Sequence, residues 1–248
     1  MRTSLILAAM AATTLVAQPA EIHVLVSNGI RAVMEDVRPQ AERAIGHPLA
    51  MEFNSSTALK QKIDAGTAFD IAIVTSDLMS QLVREGKIAS GSSAGIARSG
   101  IGVGMRAGAK KPDIGTPAAL KQTLLKAKSI TFAQDGASAV FVLKMFEKFG
   151  IAEEIKSKTI LEQGSTRAAA RVADGSAELI FTLVSEILPA PGVDLVGPLP
   201  AEVESYISMS AGIGSKAHEV DASKALIKFL AGPGILATLK AKGMEPVH

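Results

Sequence analysis

The sequence predicts an α/β protein built as two lobes, and two observations carry that expectation. Short runs rich in β-branched residues alternate with helical stretches along most of the chain, the pattern of βαβ units in a largely parallel sheet covered by helices on both faces. The alternation comes in two sets, each followed by a Gly-rich extended segment: "SGIGVGMRAGAKKPD" at residues 99–113 and "SMSAGIGSKAHEVD" at residues 208–221. Read as adjacent segments, these carry the chain between the lobes twice, so that the lobes hinge about a cleft.

Taken in order, the first set opens with "EIHVLVS" as a strand, continues with a helix over residues 30–45, and adds "LAMEFN" as a second strand. A helix over 57–65, the strand "FDIAIVTS" and a helix over 77–86 complete it. The second set comprises a helix over 117–126, the strand "SITFA", a helix over 138–149, a strand around "TILEQ", a helix over 166–173 and the strand "AELIFTLV". A terminal helix over 222–242 returns to the first lobe. The division expected is therefore residues 21–100 with 210–248 as one lobe and 101–209 as the other. "ASGSSAG" and "LPAPG" read as a loop and a turn.

Residues 1–20 have the layout of a secretory signal peptide. Arg2 precedes an apolar run from Leu5 to Ala17, small residues follow, and the run is short for a membrane span. Cleavage after Ala17 or Ala20 fits. The chain has no Cys, which excludes disulfides, thiolate nucleophiles, thiolate metal sites and a lipid-bearing cysteine near the leader. A periplasmic monomer without cofactor or bound metal ion is the expectation. Net charge is only +2 and aromatic content 4%, so neither a basic footprint nor a stacking platform for nucleic acid is present.

The chemistry concentrates in the turns that lead from strand to helix. In "NSSTALKQKIDAG" three hydroxyls, Ser55, Ser56 and Thr57, stand at a helix start, where one would suffice as a cap. The N–H groups of a first helical turn have no intrahelical partners and the helix dipole adds partial positive charge, so such a turn can hold an anion without a formal cation. "VSNGIRAVMEDV" offers a second turn, with Ser27, Asn28 and Gly29, where a ligand can approach the glycine backbone closely. Arg31 follows in the first turn of a helix, where a cation opposes the dipole unless an anion lies near. "AQDGASAVFVLKMF" places Asp135 to Ser138 before an apolar helix, and "EQGSTRAAARVADG" places Gly164, Ser165, Thr166 and Arg167 before an Ala-rich one. In open α/β sheets ligands bind beyond the carboxyl ends of the strands, where all four turns belong.

These stretches, with "FNSSTALKQKIDAGTAFDIAIVTSDLMSQLVREGKI" the strongest, resemble the periplasmic solute-binding proteins of ABC importers, specifically the molybdate-binding type. The resemblance spans essentially the whole chain after the leader. It implies a type II, venus-flytrap fold with two hinge-crossing segments, delivery of cargo to an inner-membrane ABC permease, and oxyanion binding by hydroxyls and backbone N–H groups. By position the binding set is Ser27 to Gly29, Ser55 or Ser56, Ser138 and Thr166. Three departures stand out. Gly29 occupies a place where the family pattern has a hydroxyl. Leu183, beside Thr182, replaces the family's tyrosine, and Arg31 has no counterpart in a charge-free oxyanion site. A guanidinium matches a carboxylate bidentately, so Arg31 or Arg167 holding a small carboxylate or phosphorylated acid competes with molybdate or tungstate as the reading.

"GSSAG" matches a G-x-S-x-G nucleophile elbow around Ser93, but a polar loop rather than a buried strand precedes it. An exported serine hydrolase is the distant alternative. The four His residues have no metal-binding spacing, and "GVGMRAG" lacks the dinucleotide fingerprint. The expectation is a non-enzymatic receptor for a small anion.

Overall fold

The computed structural model describes residues 19–247, so the leader expected at residues 1–20 lies almost wholly outside the described residues. The first half contains β1 (Ile22–Ser27), α1 (Arg31–Ile45), β2 (Leu49–Asn54), α2 (Ser56–Asp64), β3 (Ile71–Thr75), α3 (Ser76–Arg84) and the long β4 (Ala94–Arg106). Then come α4 (Pro117–Lys126), β5 (Ile130–Ala133), α5 (Ala139–Lys148), α6 (Ala152–Lys156), β6 (Thr159–Glu162), α7 (Ser165–Ala173) and β7 (Leu179–Leu183). The chain ends with α8 (Val184–Ile187), β8 (Val193–Pro198), β9 (Tyr206–Ile213), α9 (Val220–Leu230), α10 (Leu236–Ala241) and β10 (Glu245–Pro246).

Two sheet regions share β4. On one side the order is β2-β1-β3, all parallel, continued by antiparallel β9 and the first part of β4. On the other, β7, β5 and β6 are mutually parallel, and β7 pairs antiparallel with Ile101 to Met105 of β4. The chain therefore crosses once within β4, near Gly100, and returns at residues 199–205, where Leu199 N–H donates to Ile101 O and Ile101 N–H to Ser205 O. The return crossing precedes the segment expected from sequence, because Met209 to Ile213 already pair with β3 in the first sheet. The alternating glycines of "GIGVG" have a packing cause. A Cβ at Gly102 would lie 2.9 Å from Val184 Cγ2, and one at Gly104 2.8 Å from Ile180 Cγ2.

Register fixes where the turns fall. Ser27 lies opposite Asn54 at the ends of β1 and β2, and Ala133 opposite Glu162 at the ends of β5 and β6, so successive strand exits share one edge of each sheet. β1 is buried at every position except His23, as a central parallel strand covered on both faces must be. On one face α1 contributes Val33, Met34, Val37 and Ala41, against α9 with Leu226 and Leu230. On the other, α2 and α3 pack Leu59, Ile63, Met79 and Leu82 against Leu25, Ala72 and Val74. Beneath this sheet Asp70, 3% exposed, accepts N–H bonds from His23 (3.0 Å), His218 (2.8 Å) and Glu219 (3.2 Å), tying β1 to the start of α9.

The terminal helix expected over 222–242 is two helices. Their axes bend by 57° at the "GPG" stretch. Pro233 has no N–H to give the preceding turn, and its ring clashes with a continuing helix. The other regular elements absent from the sequence reading are α6, the four-residue α8, β8 and the short β10.

Candidate ligand-binding site

Where the strand exits of the two halves meet, they enclose a chamber of about 30 Å³. Its walls come from Ser27, Asn28 and Gly29 after β1, Ser55 and Ser56 after β2, and Gly136, Ala137 and Ser138 after β5. Gly164 and Ser165 after β6, Leu183 and Glu186 after β7, and Met209 of β9 complete it. Of the residues expected from sequence, Ser27, Asn28, Gly29, Ser55, Ser56 and Ser138 are brought together here. Neither Lys nor Arg lines the chamber. A direct bond spans the two halves, from Thr57 Oγ1 to the carbonyl of Asp135 at 3.3 Å.

The hydroxyls after β1 and β2 are mutually anchored. Ser56 Oγ donates to Ser27 Oγ (3.0 Å) and accepts the Thr75 N–H (3.2 Å), while Ser55 Oγ caps α2 by accepting the Ala58 N–H (3.2 Å). Ser27 and Ser55 thereby keep hydroxyl protons that no bond among the described residues uses. Across the chamber, Ser138 is 3% exposed and makes no side-chain capping bond. Helix α7 starts after Gly164, whose φ of 80° suits glycine, and this places Ser165 in the chamber. Thr166 faces a neighbouring cavity instead, and Arg167 lines neither space.

Glu186 was not legible as a site residue. It accepts hydrogen bonds from Ser165 Oγ (2.7 Å), Thr182 Oγ1 and the Leu183 N–H (3.4 Å). The side chain keeps some surface toward the neighbouring cavity while its carboxylate is closely surrounded by protein. Burial pushes the Glu186 carboxyl above the usual carboxylate range despite these three donors, and the charge of Asp135 adds to the rise. No spacing in the sequence signals the pair, since Thr182 lies in β7 and Glu186 on α8. The space beside Gly29 is occupied by protein rather than left for a ligand, since a Cβ there would collide with Met209 Cε and Leu183 Cδ1.

The neighbouring cavity, about 720 Å³, shares Asn28, Ser165 and Glu186 with the chamber and is also lined by Arg31. The Arg31 guanidinium lies 4.5 Å from the centroid of the Phe53 ring, and its Nε is 3.5 Å from Glu35 Oε1. That Nε is shielded from solvent and has no hydrogen-bond partner. Ser93 sits exposed in a loop leading straight into β4, with no helix after it, so the nucleophile elbow is not formed.

A chamber built from strand-to-helix turns of two halves joined by two crossings is the arrangement of a ligand-capturing, hinged protein. Residues 22–245 match the family of bacterial extracellular solute-binding proteins, and the chain belongs to that family. It is 30% identical over 240 residues to a protein of Pseudomonas sp. named aconitate isomerase, covering 94% of this chain and 91% of that one. It is also 30% identical over 235 residues to the molybdate-binding protein ModA of Azotobacter vinelandii, covering 92% and 90%. Among solved structures, the periplasmic molybdate-binding protein of Azotobacter vinelandii superposes with a TM-score of 0.78 at 18% identity, covering 92% of this chain and 100% of that one. The sulfate-binding protein SubI of Mycobacterium tuberculosis superposes with a TM-score of 0.70 at 17% identity, covering 92% and 87%. The fold is the two-lobed type II fold of periplasmic binding proteins.

Proposed function

We propose that the protein is the periplasmic solute-binding component of an ABC importer, and that it captures a small anion in the chamber between its lobes. One observation carries this reading: turns from both halves converge on a small, partly enclosed space lined by hydroxyls and helix starts, with no Lys or Arg among the described residues of its walls. An anion there exchanges its hydration shell for fixed dipoles, each stronger for the exclusion of water. The chain up to about Gly100, with β9 and the residues after it, forms one lobe, and the segment between the two crossings forms the other. Closure of the second lobe over an anion held by the first creates the shape that the inner-membrane permease recognises. Molybdate or tungstate is the anion proposed for the chamber, a reading that the similarity to ModA supports.

Glu186 favours a second reading, in which the ligand is a small organic acid that is turned over as well as bound. A carboxyl with a raised pKa at a ligand site is the kind of group that general acid–base chemistry employs, and the similarity to a protein named aconitate isomerase supports this reading. A thermal-shift screen of the leaderless protein against molybdate, tungstate, sulfate and cis-aconitate tests both. Ligand at about 100 times its Kd adds roughly 2.7 kcal/mol of stability, several degrees for a chain of this size. A shift by molybdate or tungstate alone supports the oxyanion reading. A shift by cis-aconitate, with proton NMR showing its conversion to the trans isomer, supports the second. No shift by any of the four contradicts the receptor proposal.

A further inference from the structure

We propose that the 720 Å³ cavity beside the chamber is a ligand subsite, that it takes the carbon body and a second carboxylate of a small organic polyacid whose first carboxylate occupies the chamber, and that Arg31 determines this specificity. The inference rests on the reading that the chamber holds an anionic group.

Adjacency is the first observation. Asn28, Ser165 and Glu186 line both spaces, so the two abut and a ligand reaching from one into the other passes these three side chains. The chamber, at about 30 Å³, has room for one compact anionic group and no carbon skeleton beyond it, whereas the cavity lies within the range of roughly 300–1,000 Å³ typical of small-molecule sites.

The second observation is the cavity floor. Ser165, Ala169 and Ala173 recur every four residues on α7 and therefore share one face, which leads outward from the chamber over about 12 Å. Side chains this small leave the volume open, and Pro189 and Pro191 supply a rigid apolar wall opposite. An apolar carbon skeleton fits such a surface; a bare oxyanion has no use for it.

The third is Arg31. Across the 3₁₀ turn at residues 28–30, Asn28 and Arg31 are three residues apart, which stacks them about 6 Å from one another along the axis. A guanidinium thus stands one step outward from the chamber. Its stacking on Phe53 fixes its plane, and its buried Nε–H makes no hydrogen bond among the described residues, the Glu35 carboxylate standing 3.5 Å away. Among the described residues its only ion pair is with Glu35, whose side chain is 55% exposed. An exposed pair of this kind contributes little, so Glu35 can turn to solvent when a better-placed carboxylate arrives. Asp174, at the far end of the cavity, is already satisfied by the Ser176 hydroxyl and N–H and does not compete for Arg31.

Calorimetric titration of the leaderless protein with molybdate, succinate, tricarballylate and aconitate tests the proposal. The variants are Arg31→Gln, Ala170→Leu, which fills the cavity from an exposed position on α7, and Ser56→Ala in the chamber; circular dichroism checks that each folds. The expected result is binding of at least one polyacid, weakened tenfold or more by both Arg31→Gln and Ala170→Leu, while the response to molybdate changes less than twofold. Polyacid affinity within twofold of wild type in Arg31→Gln, or no binding of any polyacid, overturns the subsite. Unchanged affinity for every bound anion in Ser56→Ala is a separate failure, that of the chamber itself.

Discussion

The two sides of the chamber are assembled from the same parts but held differently. On the β1–β2 side, Ser56 is bonded to Ser27 and to the backbone of Thr75, and Ser55 caps α2, so every oxygen is already in place. On the β5–β7 side, Ser138 has no capping bond and Ser165 is bonded to Glu186. The first side is preorganised and loses little freedom when a ligand arrives; the second gains its partners only then, or must exchange one. In the hinged receptor proposed above, this asymmetry suits one lobe to capture and the other to respond.

The comparison can be broken most forcefully beneath the rigid side. Asp70→Ala leaves three backbone N–H groups without their acceptor and should cost about 3 kcal/mol of folding stability in denaturant titrations. Burial raises the Asp70 pKa, but the three N–H donors outweigh it and hold the carboxyl below its usual range. A depressed pKa gives stability that is present above the unfolded value of 3.8 and is lost as pH falls through the folded one, so the difference between wild type and variant should shrink in acid.

Serine substitutions sharpen the contrast. Ser56→Ala, which removes the donor that orients the Ser27 hydroxyl, and Ser138→Ala should each weaken anion binding by about 1–3 kcal/mol, yet only Ser56→Ala should also cost stability, about 1 kcal/mol, because the half-buried Thr75 N–H loses its acceptor. Paired binding and melting measurements on the two variants check this.

Glu186→Gln addresses the responsive side. With its folded pKa raised above the ordinary 4.5, Glu186 contributes stability that is fully present below pH 4.5 and is lost as pH rises through the folded value. Wild type should therefore lose stability with rising pH relative to the Gln variant. Anion affinity should fall over the same interval in wild type and stay flatter in the variant, since only the ionised carboxylate repels a bound anion. The smallest effect belongs to Arg167→Gln: exposed and outside both spaces, it should alter affinity less than twofold.

Much of this architecture is legible in the sequence because its signals are local. "IHVLVS" and "IAIVT" are continuous apolar runs since both faces of those strands are covered, and the serine-rich turns stand out because helix starts select hydroxyls. Neighbouring residues at one turn are harder to separate. Gly164 takes the position before α7, which shifts the inward-facing hydroxyl from Thr166 to Ser165. Glu186 escaped because it follows an apolar strand on a helix of only four residues, too short for periodicity to register, and its role arises from Thr182 and Ser165 meeting it in three dimensions. The break in the terminal helix was written in "GPG", where a long apolar pattern on both sides masks it.

The central claim is that donors from both lobes grip one anion. Its most direct test is calorimetric titration of Ser27→Ala, Ser138→Ala and the double variant with molybdate and with aconitate. Loss of about tenfold or more for the same anion in each single variant, with a further loss in the double, is the predicted result. A single variant on either side that binds every anion as wild type does would contradict it.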